Sequence, residues 1–107
     1  MPFDCYTRSL DLLRTLAPLL ARLEAHDPEL AKQMRRAATS TTLNIAEGNR
    51  RRGKDRRNRF TISLGSVDEV AAALDAATAL GYFEPAATAP SLELVDRIRA
   101  MTWRLSH

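Results

Sequence analysis

Residues 54–81 read KDRRNRFTISLGSVDEVAAALDAATALG. Phe60, Leu64, Val67, Ala71, Leu74, Thr78 and Gly81 recur in it at spacings of four and three. A period of 3.5 marks a helix packed in a bundle, not a strand. The stretch predicts the longest helix of the chain, over about residues 54–80, closed by Gly81. A second stripe, Ile62, Ser66, Glu69, Ala73, Ala76 and Leu80, has the same spacing but mostly small side chains.

Three further helices follow outward from this one. Upstream, Asp27 and Pro28 suit an N-cap and a first helical position, so a helix is expected over about residues 28–47. Leu30, Met34, Ala37, Thr41 and Ile45 form its inner face, and Gly48 is a plausible C′ residue. Residues 49–53 make the polar connection. Before it, about residues 4–25 carry leucines over roughly half the helix circumference, with Pro18 on the polar arc as the source of a mild kink. Downstream, Thr88 or Ser91 is the expected cap of a helix over about residues 90–104. Leu94, Val95, Ile98, Met101, Thr102 and Leu105 point inward there, with Trp103 on another side. Four amphipathic helices with short connections predict one all-α domain over residues 1–107, an up-down four-helix bundle. The broad arc of the first helix and the second stripe of the third exceed what a monomer needs and predict self-association.

The 107 residues carry 16 basic and 13 acidic side chains, a net +3. That sum hides two unlike parts. Arg50, Arg51, Arg52, Lys54, Arg56, Arg57 and Arg59 fall in ten positions with only Asp55 against them, a local +6, leaving −3 on the rest. Such a run repels itself, and basic residues oppose the dipole at a helix start. A polyanion would compensate it, and arginine forks match phosphate. Lys32, Arg35 and Arg36 are read as an extension of this surface. Aromatic residues do not interleave the run before Phe60, so phosphate contact, not base stacking, is expected to dominate.

Other chemistry is poorly supported. No phosphate-binding glycine loop, zinc-protease motif or nucleophile motif occurs. Cys5 reads as a packed small hydrophobe, and His26 and His107 form no ligand pair, so no catalytic residue, metal or cofactor is expected. One cysteine suits a reducing compartment. The apolar stretches are broken by charges, and the first four residues lack a basic region followed by an apolar core. A cytoplasmic protein without membrane contact is therefore expected.

The order of certain residues is also informative. Residues 33–40, QMRRAATS, lead into Asn44-Ile45-Ala46-Glu47-Gly48; the basic stretch follows, then Arg59-Phe60, then Gly65-Ser66-Val67-Asp68-Glu69 and Leu80-Gly81-Tyr82-Phe83. This combination, over about residues 33–83, resembles the four-helix bundle family of proteins encoded in intervening sequences of bacterial 23S ribosomal RNA. That family is related to the accessory variability determinant of diversity-generating retroelements. The resemblance implies a left-handed bundle that assembles as a ring-shaped homopentamer with a basic surface. It also implies nucleic acid, RNA in particular, or a reverse transcriptase as partner. The chain departs from the common pattern at Thr41 and Thr42, where an apolar residue and proline are more usual; Thr42 restores a backbone donor to helix two.

The motif residues read mainly as structural. Glu47 near a helix C-terminus needs a cation, with Arg51, Arg52 or Arg56 in reach, and Asn44 could satisfy loop or helix-end backbone. Paired carboxylates with Glu69 for acid-base or metal work are the alternative. Gly65-Ser66 is expected to mark a close helix crossing, or else a ligand against bare backbone. Two functions are thus in view: a non-catalytic nucleic-acid-binding module, or an oligomeric scaffold that docks a nucleic-acid enzyme.

Overall fold

A computed structural model describes residues 3–107; Met1 and Pro2, on which the reading of the N-terminus partly rests, lie outside the described residues. Four helices account for nearly all of it: α1 (Asp4–His26), α2 (Pro28–Arg50), α3 (Gly53–Ala79) and α4 (Pro85–Ser106). α1 packs on α2 and α4, and α3 packs on α2 and α4, while the remaining pairings are marginal. That is a square array in which each helix runs antiparallel to its chain neighbour, an up-down bundle. Its long dimension, 43 Å, is about that of a 27-residue helix at 1.5 Å per residue.

Each helix buries one line at alternating spacings of three and four. α1 contributes Cys5, Ser9, Leu12, Leu16, Leu19 and Leu23; α2 contributes Ala31, Met34, Ala38, Thr41, Ile45 and Gly48. α3 contributes Phe60, Ser63, Val67, Val70, Leu74 and Ala77; α4 contributes Thr88, Ser91, Val95, Ile98 and Thr102. The seam expected for α3 is therefore half right. Phe60, Val67 and Leu74 are central, but Ser63, Val70 and Ala77 replace Leu64, Ala71 and Thr78, which are only half-buried. Ser63 can sit inside because its hydroxyl donates to the Thr41 carbonyl of α2 at 2.9 Å.

The termini explain the other differences. Asp27 caps α2 as expected, its Oδ1 accepting from the Leu30 amide at 3.1 Å, and Pro28 follows it. α2 does not stop at Gly48. It runs on to Arg50, and Gly48 is a buried helical residue against Phe60. The turns that use positive φ are at Gly53 (58°) and Gly81 (83°). α4 begins at Pro85, not near residue 90, and Thr88 and Ser91 are buried inside it. Proline suits the first helical position. Pro90 lies on the exposed side and gives up one backbone bond there. No helix of the described residues is long and apolar enough to cross a membrane.

Candidate nucleic-acid interface

The up-down order brings the end of α2, the start of α3, the start of α1 and the end of α4 to one pole. The basic segment lies there and divides into two groups. The first is tied into the fold. Arg50 donates to Glu47 Oε1 at 2.8 Å. Arg51 reaches both Glu47 Oε2 and Asp55 Oδ2 at 3.0 Å, so it links the last turn of α2 to the first of α3. Arg56 donates to the Gly48 carbonyl at 3.1 Å and lies over the Phe60 ring, 4.9 Å from its centroid. It thereby satisfies a helix-end carbonyl and covers a core aromatic. Arg59 approaches Asp55 at 4.0 Å and is half-buried.

The second group is free. Arg52, Lys54 and Arg57 are exposed and have no ion-pair partner among the described residues. They present a concentrated positive charge to solvent from the loop and first two turns of α3. Lys32, Arg35 and Arg36 are not part of this pole. They lie in the first turns of α2, and Arg36 is about 20 Å along the helix from Arg50 at 1.5 Å per residue. Arg35 is engaged with Glu24 at 3.4 Å. The expected continuous surface thus separates into two patches, because one helix carries them at opposite ends.

The motif residues resolve into contacts. Hydrogen bonds from Arg51, then the charge of Arg50, hold the Glu47 carboxyl below its ordinary value of 4.5. The guanidinium of Arg51 is raised by the same bond to Glu47 and by the charge of Asp55. Asn44 serves its own helix instead of a loop: its Nδ2 donates to the Ser40 carbonyl at 2.9 Å, with Ser40 Oγ at 3.2 Å. Ser40 Oγ meets Ser66 Oγ at 2.8 Å, joining α2 to α3. Gly65 marks no crossing among the described residues, since a Cβ added there would find nothing within 4 Å. Glu69 is exposed and far along α3 from Glu47, so the two carboxylates do not form a pair. Among the described residues no cluster of three His, Cys, Asp or Glu could hold a metal.

Cys5 is buried and lies 3.2 Å from Thr102 Oγ1, whose own proton goes to the Ile98 carbonyl at 2.7 Å. The thiol is therefore the donor, and burial pushes its pKa up, which disfavours the nucleophilic thiolate. The helical pattern sets Trp103 off the inward face of α4 and assigns it no role. It is 54% exposed near the end of α4, at the same pole as the basic segment. Helix topology, not local sequence, brings them together.

A sequence model of the family described as 23S rRNA-intervening sequence protein matches residues 2–104. A solved structure of a protein with unknown function from the S23 ribosomal protein family of Bacteroides thetaiotaomicron has the same fold. It superposes with a TM-score of 0.83 at 20% identity, over 95% of this chain and 97% of that one. No curated protein matches the sequence.

Proposed function

The chain belongs to the 23S rRNA-intervening sequence protein family, and from that premise we propose that it is a non-catalytic, sequence-tolerant nucleic-acid-binding protein of the cytoplasm, with RNA as the favoured ligand. The observation that carries this reading is the unpaired cation group Arg52, Lys54 and Arg57 at one pole. Arg51 and Arg56 hold the helix junction that presents them, while Arg50 and Arg59 face acids of their own helices. Contacts of this kind go to phosphates, so affinity should fall steeply with salt. The test is binding of RNA and duplex DNA across salt concentrations, by the chain and by an Arg52→Glu, Lys54→Glu, Arg57→Glu variant. The expected result is salt-sensitive binding that the triple reversal weakens at least tenfold. Absence of binding at low salt, or binding indifferent to the reversal, would refute the reading.

A second reading, an oligomeric scaffold that docks a protein such as a reverse transcriptase, is favoured by a different surface. Leu43 is 59% and Ile62 40% exposed. The Ser40–Ser66 contact sets a register in which these two exposed residues stand at about the same level of α2 and α3. Light scattering that found only monomers at micromolar concentration would remove the self-assembly this scaffold needs.

A further inference from the structure

The chain has one tryptophan, Trp103, and it stands outside the packed core. The Arg99–Asp68 ion pair, 2.6 Å, sets the register of α4 against α3. One turn on from Arg99, Trp103 is level with residues 64 and 65 of α3. Arg57 is then about 10 Å farther toward the pole at 1.5 Å per residue. The indole is stacked against His107, centroids 4.1 Å apart and 17° between planes, yet remains 54% exposed. His107 is itself held, with Nδ1 3.0 Å from the Trp103 carbonyl and 2.9 Å from Ser106 Oγ.

Two further observations point the same way. Trp103 and Arg104 border a shallow groove of about 490 Å³ on α4. Arg99 binds both nearby carboxylates, Asp96 and Asp68, at 2.9 and 2.6 Å, and Arg104 on the groove's rim brings the two acids and two arginines to balance. At the level of Trp103, Gly65 leaves the adjoining surface of α3 bare, with nothing within 4 Å of an added Cβ. A mid-helix glycine costs about 1 kcal/mol relative to alanine, and no packing among the described residues accounts for it.

We propose that Trp103 is a stacking platform for an unpaired base, and that the ligand of the basic pole is single-stranded RNA. The inference rests on the nucleic-acid reading above and narrows it. Bases in a duplex have both faces covered by neighbours, whereas an unpaired base offers a free face to an aromatic ring. Arg104 borders the same groove, and Arg57 and Lys54 lie farther toward the basic pole by the same register, along which a backbone leaving the stacked base would pass. Every base has a stacking face, so the site is tolerant of sequence.

The lone tryptophan makes its own emission the readout. The full chain is titrated at low salt with a short single-stranded RNA of mixed sequence and with the duplex of the same sequence. Single strands should quench the emission more than duplex. In an anisotropy titration of end-labelled RNA, which does not need the tryptophan, Trp103→Ala should weaken single-strand binding at least about fivefold, with duplex binding little changed. The Arg52→Glu, Lys54→Glu, Arg57→Glu variant should weaken both. Equal affinity for both forms, with Trp103→Ala silent and the triple reversal effective, would overturn the stacking site and leave the nucleic-acid reading standing. An emission blue-shifted in the free protein and unmoved by RNA would overturn it too, by showing the indole covered by a second copy. No binding of either form at low salt would sink both readings together.

Discussion

Gly48 and Gly65 both lie inside helices, and a methyl group added to each meets opposite surroundings. At Gly48 it would stand 2.9 Å from two carbons of the Phe60 ring. That ring is fully buried and covered by Arg56, so it has nowhere to retreat. At Gly65 the methyl would meet nothing. Gly48→Ala should therefore destabilise the protein by about 1–3 kcal/mol through overpacking. Gly65→Ala should stabilise it by about 1 kcal/mol through helix propensity. Urea unfolding of the two variants checks the opposite signs. Glu47 yields a prediction in pH. Its carboxyl is held below 4.5 by Arg51 and Arg50. A depressed folded value means that its contribution is complete above 4.5 and is lost as pH falls through the lower folded value. Acidification should thus cost the wild type more stability than Glu47→Gln, and urea midpoints at neutral and acid pH would show it. Equal losses in the two proteins would mean that the Arg50 and Arg51 contacts do not favour the charged carboxylate.

At the scale of elements, the far pole depends on one residue. Asp27 caps α2 through Leu30, and its Oδ2 accepts from the Tyr82 hydroxyl at 3.3 Å. Tyr82 also stacks on His26, centroids 5.5 Å apart. Asp27 thus joins the α1–α2 turn to the α3–α4 turn. Asp27→Ala should cost about 1–2 kcal/mol, and Asp27→Asn, which keeps a capping oxygen, clearly less; thermal unfolding of both variants tests this. The cap was legible in Asp27-Pro28, because side-chain capping is a local event. So were the four helices, because the 3.5 period is carried by apolar residues such as Leu12, Ile45, Val67 and Ile98. The α3 seam was less so: serine counts as polar in a pattern, and only α2 supplies the carbonyl that lets Ser63 inside. The start of α4 was obscured by two prolines, of which Pro85 begins the helix and Pro90 interrupts its bonding. The basic pole was legible as a run of charge. Its division into Arg51 and Arg56, which hold the junction, and Arg52, Lys54 and Arg57, which do not, required the facing helix. Trp103 was missed because its neighbours on α3 are some 40 positions away in the chain.

Over the whole molecule, charge is distributed along the bundle axis. The pole formed by residues 3–8, 47–59 and 104 holds nine basic and three acidic side chains. The opposite end, residues 22–36 and 75–93, holds four basic and six acidic ones. A bundle 43 Å long with one positive end would approach a polyanion end-on, and the field would orient it before contact. The number of phosphates finally neutralised is a separate quantity, and salt dependence reads it. Arg52, Lys54, Arg57 and Arg104 are the cations of that pole without an ion pair or a structural hydrogen bond among the described residues. If only these engage a single strand, log K should fall with log salt at a slope of about −3 per protomer. If all nine basic residues engage, the slope should be about −6, and the contacts of Arg50 within α2 and of Arg51 and Arg56 at the junction would have to break. The shallower slope is expected, because Glu47 and Asp55 compete for the tied arginines at contact distance. Charge reversal at Arg52 should reduce that slope by about one phosphate contact, whereas Arg51→Gln should lower stability and leave the slope unchanged. A slope near −6 that fell equally with either substitution would mean that the junction arginines are ligand contacts, not part of the scaffold.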